Sequence, residues 1–60
     1  MKQKRFKVGD IVELDDTFNV KIVRTFRFDG EWWYEVVPVE FKAISREVPE
    51  ERLKALREED

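Results

Sequence analysis

The sequence predicts a small, mainly β domain built around an antiparallel hairpin, and three observations predict it. Residues 20–28 and 31–39 are two runs rich in β-branched and aromatic side chains, joined by Asp29-Gly30, a strong hairpin signal. Shorter alternating runs stand on either side, at 11–14 and 40–48. The chain has 60 residues, enough for a single domain over 1–60. A chain of that length buries only about 60% of the surface its unfolded form exposes.

Taken in order, residues 1–7 carry Lys2, Lys4, Arg5 and Lys7 and no acid. They read as a flexible basic tail over 1–5 that enters a strand at Phe6. Val8-Gly9-Asp10 is a turn signal, because Gly and Asp tolerate the backbone angles that turns need. Ile11-Val12-Glu13-Leu14 follows as a strand with Val12 and Leu14 on one face, and Asp15-Asp16-Thr17 breaks it.

Charges argue the register of the central hairpin. A three-residue loop, Phe28-Asp29-Gly30, with Gly30 left-handed as a bulge, sets Arg27 opposite Glu31, Phe26 opposite Trp32 and Ile22 opposite Val36. A two-residue loop sets Phe28 opposite Glu31 instead. The first is the expectation, because opposite charges then meet on one side and apolar pairs on the other. Alternation places Glu31, Trp33 and Glu35 on one face and Trp32, Tyr34 and Val36 on the other. Two unpaired carboxylates do not fit in so small a core, so Trp32, Tyr34 and Val36 point inward and Trp33 outward. Pro38 lacks an N–H and marks an edge or a bend.

Residues 40–48 alternate without a cleanly apolar face. Residues 49–58 open on Pro49, carry Glu50 and Glu51 in the first turn and consist of strong helix formers. Glu50 and Lys54 stand four apart, and Leu53 and Leu56 give a narrow apolar stripe. A helix of about ten residues is expected there; the alternative is one turn at Pro49 and a short last strand, 53–56. The expected core is Val12, Leu14, Ile22, Phe26, Trp32, Tyr34, Val36, Leu53 and Leu56.

Composition narrows the function. There is no Cys and no His, which removes disulfides, thiolate or imidazole zinc sites, and Cys/His or Ser-His-Asp catalysis. Twelve Lys and Arg against 14 Asp and Glu give a net charge of −2, against a general phosphate-coating protein. No apolar run is long enough to span a bilayer, and no signal-peptide core is present. The expectation is a soluble intracellular (cytoplasmic) domain without catalytic residues, cofactor, metal or membrane partner. Charged residues are 43% of the chain and hydrophobic ones 42%, with one Gln, one Asn and one Ser. Two readings fit: adaptation to heat, or an engineered, idealised sequence.

Val8-Gly9-Asp10 before an alternating strand, a meander around the Asp29-Gly30 hairpin and the closing Val48-Pro49-Glu50-Glu51-Arg52-Leu53 together resemble the SH3-like small β-barrels. That group includes Tudor, chromo-type and KOW modules. The resemblance covers nearly the whole chain and implies a five-stranded antiparallel barrel with a short C-terminal helix or turn. Ala43, Ser45, Pro49, Glu51, Leu53 and Leu56 are similar to the strand-to-helix end of the archaeal seven-kilodalton chromatin proteins. Those relatives are strongly basic, which this chain is not. The Tudor and chromo likeness implies an aromatic cage for methylated lysine, for which Trp33, Phe18 and Phe41 are the available members.

Trp33 is the main candidate for partner binding, because exposed aromatics and Arg are enriched at interface hot spots. Its bland reading is a surface tryptophan covering a neighbouring side chain. Val23 and Val37 are expected on its face, enlarging an apolar patch. Arg24 and Arg27, with Lys21, Lys42 and Arg46, add a basic, aromatic-interleaved face suited to nucleic acid. The competing reading, that these bases pair with Glu31, Glu35 and Glu40, is favoured. Asp15, Asp16 and Glu13 are a weak candidate for a hard cation. The leading expectation is therefore a non-catalytic interaction module for a protein, a peptide or a second copy, or an engineered scaffold without a native ligand. The alternative is a nucleic-acid binder of the chromatin or KOW kind.

Overall fold

The computed structural model describes residues 4–56. Its elements are β1 (Ile11–Leu14), β2 (Phe18–Phe28), β3 (Glu31–Pro38), β4 (Arg46–Pro49), a 3-10 turn (Glu50–Arg52) and β5 (Leu53–Ala55). The strands form one antiparallel sheet in the order β4-β3-β2-β1-β5. Strands β1 to β4 are a meander, and β5 returns to the outer side of β1.

Strands β4 and β5 are the two edges and do not pair with each other, so the sheet is not closed into the expected barrel. It is curled all the same, and the connection shows why. Neighbouring strands lie about 4.8 Å apart, so a flat sheet would hold β4 and β5 roughly 19 Å from one another. The link from Pro49 to Leu53 passes through the 3-10 turn, which advances about 2 Å per residue, or roughly 8 Å. The edges must bend towards each other. Residues from all five strands accordingly meet in one buried cluster: Val12, Leu14, Val20, Ile22, Tyr34, Val36, Val48 and Leu53, completed by Phe6 from the N-terminal segment.

The central hairpin departs from the expected register. Asp29 and Gly30 both have positive φ, 55° and 79°, and close a two-residue turn with Phe28 opposite Glu31. Such a turn twists in the same sense as its strands. Arg27 therefore faces Trp32, not Glu31, and Phe26 faces Trp33, not Trp32. The extra residue lies within β2 instead, as a bulge at Val23 between Ile22 and Arg24. That bulge restores the expected pairing of Ile22 with Val36. An exposed Arg–Glu pair contributes little, about 0.2–1 kcal/mol, and a mid-strand bulge adds the bend that a curled sheet needs.

The bulge also changes the core. Beyond it, Phe26 joins the face of Trp33 and is only half-buried. Leu56, also expected inside, is 42% exposed. Phe6, Val20 and Val48 take the vacant places. Trp32 is half-buried and packs against the cluster.

No ten-residue helix forms within 49–56; Arg57 and Glu58 of the expected helix lie outside the described residues. One 3-10 turn is closed by the Leu53 N–H on the Glu50 carbonyl, and the chain then extends. A helix of ten residues is marginal on its own. As a strand, Leu53 pairs with Leu14 and buries to 1% exposure. It also fills the unpaired side of β1, which a docked helix would leave open. Of residues 40–48, only the end is strand.

The expected tail over 1–5 lies partly outside the described residues. Within them, the Arg5 N–H donates to Glu50 Oε2 at 3.0 Å and the Phe6 N–H to the Tyr34 hydroxyl at 3.4 Å. Tyr34 in turn donates to Glu50 Oε2 at 2.6 Å. One buried tyrosine thus ties the N-terminal segment to the turn that crosses between the sheet edges. Burial, and then the bond to Glu50, push the Tyr34 hydroxyl up to about 12. Among the described residues no helix is long and apolar enough to cross a membrane.

Candidate partner-binding face

The bulge at Val23 builds the outer face around Trp33. Past it, Arg24, Phe26 and Phe28 of β2 stand opposite Glu35, Trp33 and Glu31 of β3. The Trp33 ring meets two phenylalanines of β2. Phe26 stacks at 6.5 Å between centroids with an interplanar angle of 29°, and Phe28 meets it edge-on at 5.8 Å and 85°. Pro49 of β4 stands opposite Trp33 on its other side. A shallow groove of about 260 Å³ opens here, lined by Phe28, Trp33 and Pro49 and by the carboxylates Asp29, Glu31 and Glu51.

Arg24 organises the neighbouring row. Its guanidinium lies 4.5 Å from the Phe26 ring centroid. Its Nε donates to Glu35 Oε1 at 2.8 Å and its Nη2 to Glu47 Oε2 at 3.0 Å. Ser45 Oγ donates to the other Glu35 oxygen at 2.7 Å. Arg24 and then Ser45 hold the Glu35 carboxyl below its ordinary range, and Glu35 correspondingly raises Arg24. One arginine thus joins three strands across the outer face.

This row separates Trp33 from its expected apolar neighbours. Val37 stands opposite Lys21, two rows away, half-buried; Val23 is 41% exposed at the bulge. The expected patch of Trp33, Val23 and Val37 is interrupted by Arg24 and Glu35. The apolar surface runs the other way, to Phe28 and Pro49. Phe28 is 61% exposed; reading it as a loop residue hid its part in the face. Only the true turn length would have revealed it.

The five bases expected on one face are dispersed. Arg27 lies on the opposite side, its guanidinium 5.4 Å from the Trp32 centroid and its Nη2 donating to the Gly30 carbonyl at 3.4 Å. Lys4 Nζ lies 5.5 Å from the same ring. Arg46 borders a separate apolar cavity of about 170 Å³ at the far end of the sheet, where Phe18 and Phe41 meet edge-on at 6.1 Å. The aromatics available for a cage are therefore split, with Trp33 remote in the fold from the other two.

The two aspartates of the acidic turn are paired with the chain's own bases. Asp15 is gripped by Arg52 through both carboxylate oxygens, one bond being Arg52 Nε to Oδ1 at 3.0 Å. This hydrogen bonding holds its carboxyl low. Asp16 pairs with Lys54 at 2.9 Å. Among the described residues no cluster of three or more His, Cys, Asp or Glu is arranged to hold a metal ion. Compared with protein-family models, curated proteins and solved structures, the chain matches none of them.

Proposed function

We propose that the chain is a non-catalytic, SH3-like interaction module that binds a protein segment across the outer face around Trp33. One observation carries this reading: Trp33 and Phe28 line an open groove beside Pro49, on a face that Arg24 already holds in place. A large aromatic on a rigid sheet gives contact area at little entropic cost, which is how hot spots work. The acids bordering the groove favour a protein over a phosphate backbone. The SH3-like reading is supported by the five-strand order, with β5 returned beside β1 after a single 3-10 turn.

The test is a selection of peptide binders from a displayed library, followed by affinity measurement against the parent and Trp33→Ala. Peptides that bind the parent and lose at least tenfold with the variant support the reading. Binders indifferent to Trp33 move the interface elsewhere, and the absence of any binder leaves a scaffold without a ligand. Tight, salt-sensitive binding of a labelled single strand or duplex would favour the nucleic-acid alternative instead.

A further inference from the structure

We infer that the Trp33 groove is a receptor for the guanidinium of an arginine in an extended partner segment. The inference rests on the reading of this face as a partner surface and deepens it.

The first support is the distribution of charge. Asp29, Glu31 and Glu51 line one groove, and among the described residues none of them is in a salt bridge. Four other acids are in salt bridges: Glu35 and Glu47 with Arg24, Asp15 with Arg52, Asp16 with Lys54. The two arginines that flank Phe26 on β2 are engaged elsewhere. Arg24 is committed to Glu35 and Glu47, and Arg27 lies over Trp32 on the other face. Carboxylates crowded around an apolar floor repel one another, and a cation entering between them relieves that repulsion.

The second support is independent of the first. The chain places its own cations over its aromatic rings repeatedly: Lys4 and Arg27 on Trp32, Arg5 on Phe6, Arg24 on Phe26. Trp33 carries none among the described residues, although tryptophan offers the strongest cation–π surface. Among the described residues Trp33, like Phe28 beside it, has no cation over its ring and stands beside three carboxylates that form no salt bridge. A guanidinium satisfies both, since it is planar, stacks on an aromatic face, is weakly hydrated and can bond a carboxylate through two N–H groups. Lysine offers a compact, strongly hydrated charge and only the Coulombic part of this recognition.

The test uses the full chain, ¹⁵N-labelled, and follows its two indole N–H signals. Blocked Gly-rich peptides with a central Arg, Lys, citrulline or Glu are added to millimolar concentration. Citrulline keeps the shape of arginine and removes its charge. The Arg peptide should shift the Trp33 indole signal and leave that of Trp32, whose Nε1 is buried. Lys should act more weakly, and citrulline and Glu should have no effect. Glu31→Gln with Glu51→Gln should weaken Arg binding by roughly three- to tenfold. Glu13→Gln with Glu40→Gln, the same charge change away from the groove, should not. No Trp33 shift with Arg, an equal shift with citrulline, or equal weakening by both double variants would overturn the inference. If library peptides depend on Trp33 but need neither arginine nor Glu31 and Glu51, the guanidinium assignment fails and the partner face stands. If none depends on Trp33, both fail.

Discussion

Trp32 and Trp33 are neighbours in the chain, and the sheet separates their roles completely. Trp32 packs against the core, its Nε1 buried with no hydrogen-bond partner among the described residues, and two of the chain's own cations lie over its ring. Trp33 stands on the opposite face against two phenylalanines of β2, beside acids and, among the described residues, under no cation. Alternation along a strand divides the pair. What surrounds each follows from β2, where the bulge at Val23 delivers Arg27 to Trp32 and Phe26 with Phe28 to Trp33. Both rings are half-buried, and one inserted residue decides which of them meets Arg27 and which meets the phenylalanines.

The largest expected effect tests the inner half of this comparison. Trp32→Ala should cost about 3 kcal/mol, the low end for a large aromatic truncation, because the ring is half-buried. A domain of this size has only about 3–9 kcal/mol in total, so the variant should be close to unfolding in urea titration. Trp32→Phe sharpens the point. It removes a buried donor that has no acceptor, so the loss of packing is partly offset. If Trp32→Phe is as damaging as Trp32→Ala, the indole N–H has a partner in solution that its surroundings do not reveal.

Next in size is the tie beneath Trp32. Tyr34→Phe removes the hydroxyl that accepts from Phe6 and donates to Glu50, at an expected cost of about 1–2 kcal/mol for leaving buried groups unpaired. The parent should also show a pH dependence that this variant lacks. The Tyr34 pKa is raised in the folded state, from 10.0 to about 12. The folded state therefore holds the proton more tightly, and the associated stability is fully present below pH 10.0 and is lost as pH rises towards about 12. Urea midpoints across that window should fall more steeply for the parent than for Tyr34→Phe. Parallel curves would mean that Tyr34 is not the titrating group.

Much of the fold was legible in the sequence where two signals agreed. Asp29-Gly30 and the flanking runs marked the hairpin, and the carboxylates of Glu31 and Glu35 set the inward face of β3. The register was not legible, because charge pairing favours the three-residue loop unless β2 carries a compensating bulge, and nothing in Ile22-Val23-Arg24 marks one. Phe26 and Arg27 changed sides for that reason alone. The C-terminal segment misled differently. Its helix formers are genuine, but β1 had an unpaired side, and a long-range backbone pairing outweighed local propensity. Trp33 was legible as outward, whereas Phe28, Pro49 and Glu51 were not legible as its neighbours. Two of them come from β4 and the following turn, and only sheet order brings these to β3.

The smallest expected effect tests the outer half of the comparison. Trp33→Ala removes contacts with Phe26 and Phe28, and aromatic pairs contribute about 0.5–1.5 kcal/mol beyond the area they bury. Trp33 is half-buried like Trp32 but, unlike it, does not pack against the core cluster, so a loss of about 1 kcal/mol is expected, well below that of Trp32→Ala. For a chain of this length that corresponds to a fall of roughly 4–8 °C in melting temperature. The Arg24 bridge to Glu35 and Glu47 does not touch Trp33, so the strands should stay registered in the variant, with the Arg24 contacts unchanged by NMR. A loss equal to that of Trp32→Ala would show that Trp33 holds the sheet together. The two tryptophans would then share one structural role, and the groove would be a gap between packed rings. A small loss with an intact sheet leaves Trp33 available for a partner, because stability does not account for so large an aromatic beside three acids that form no salt bridge among the described residues.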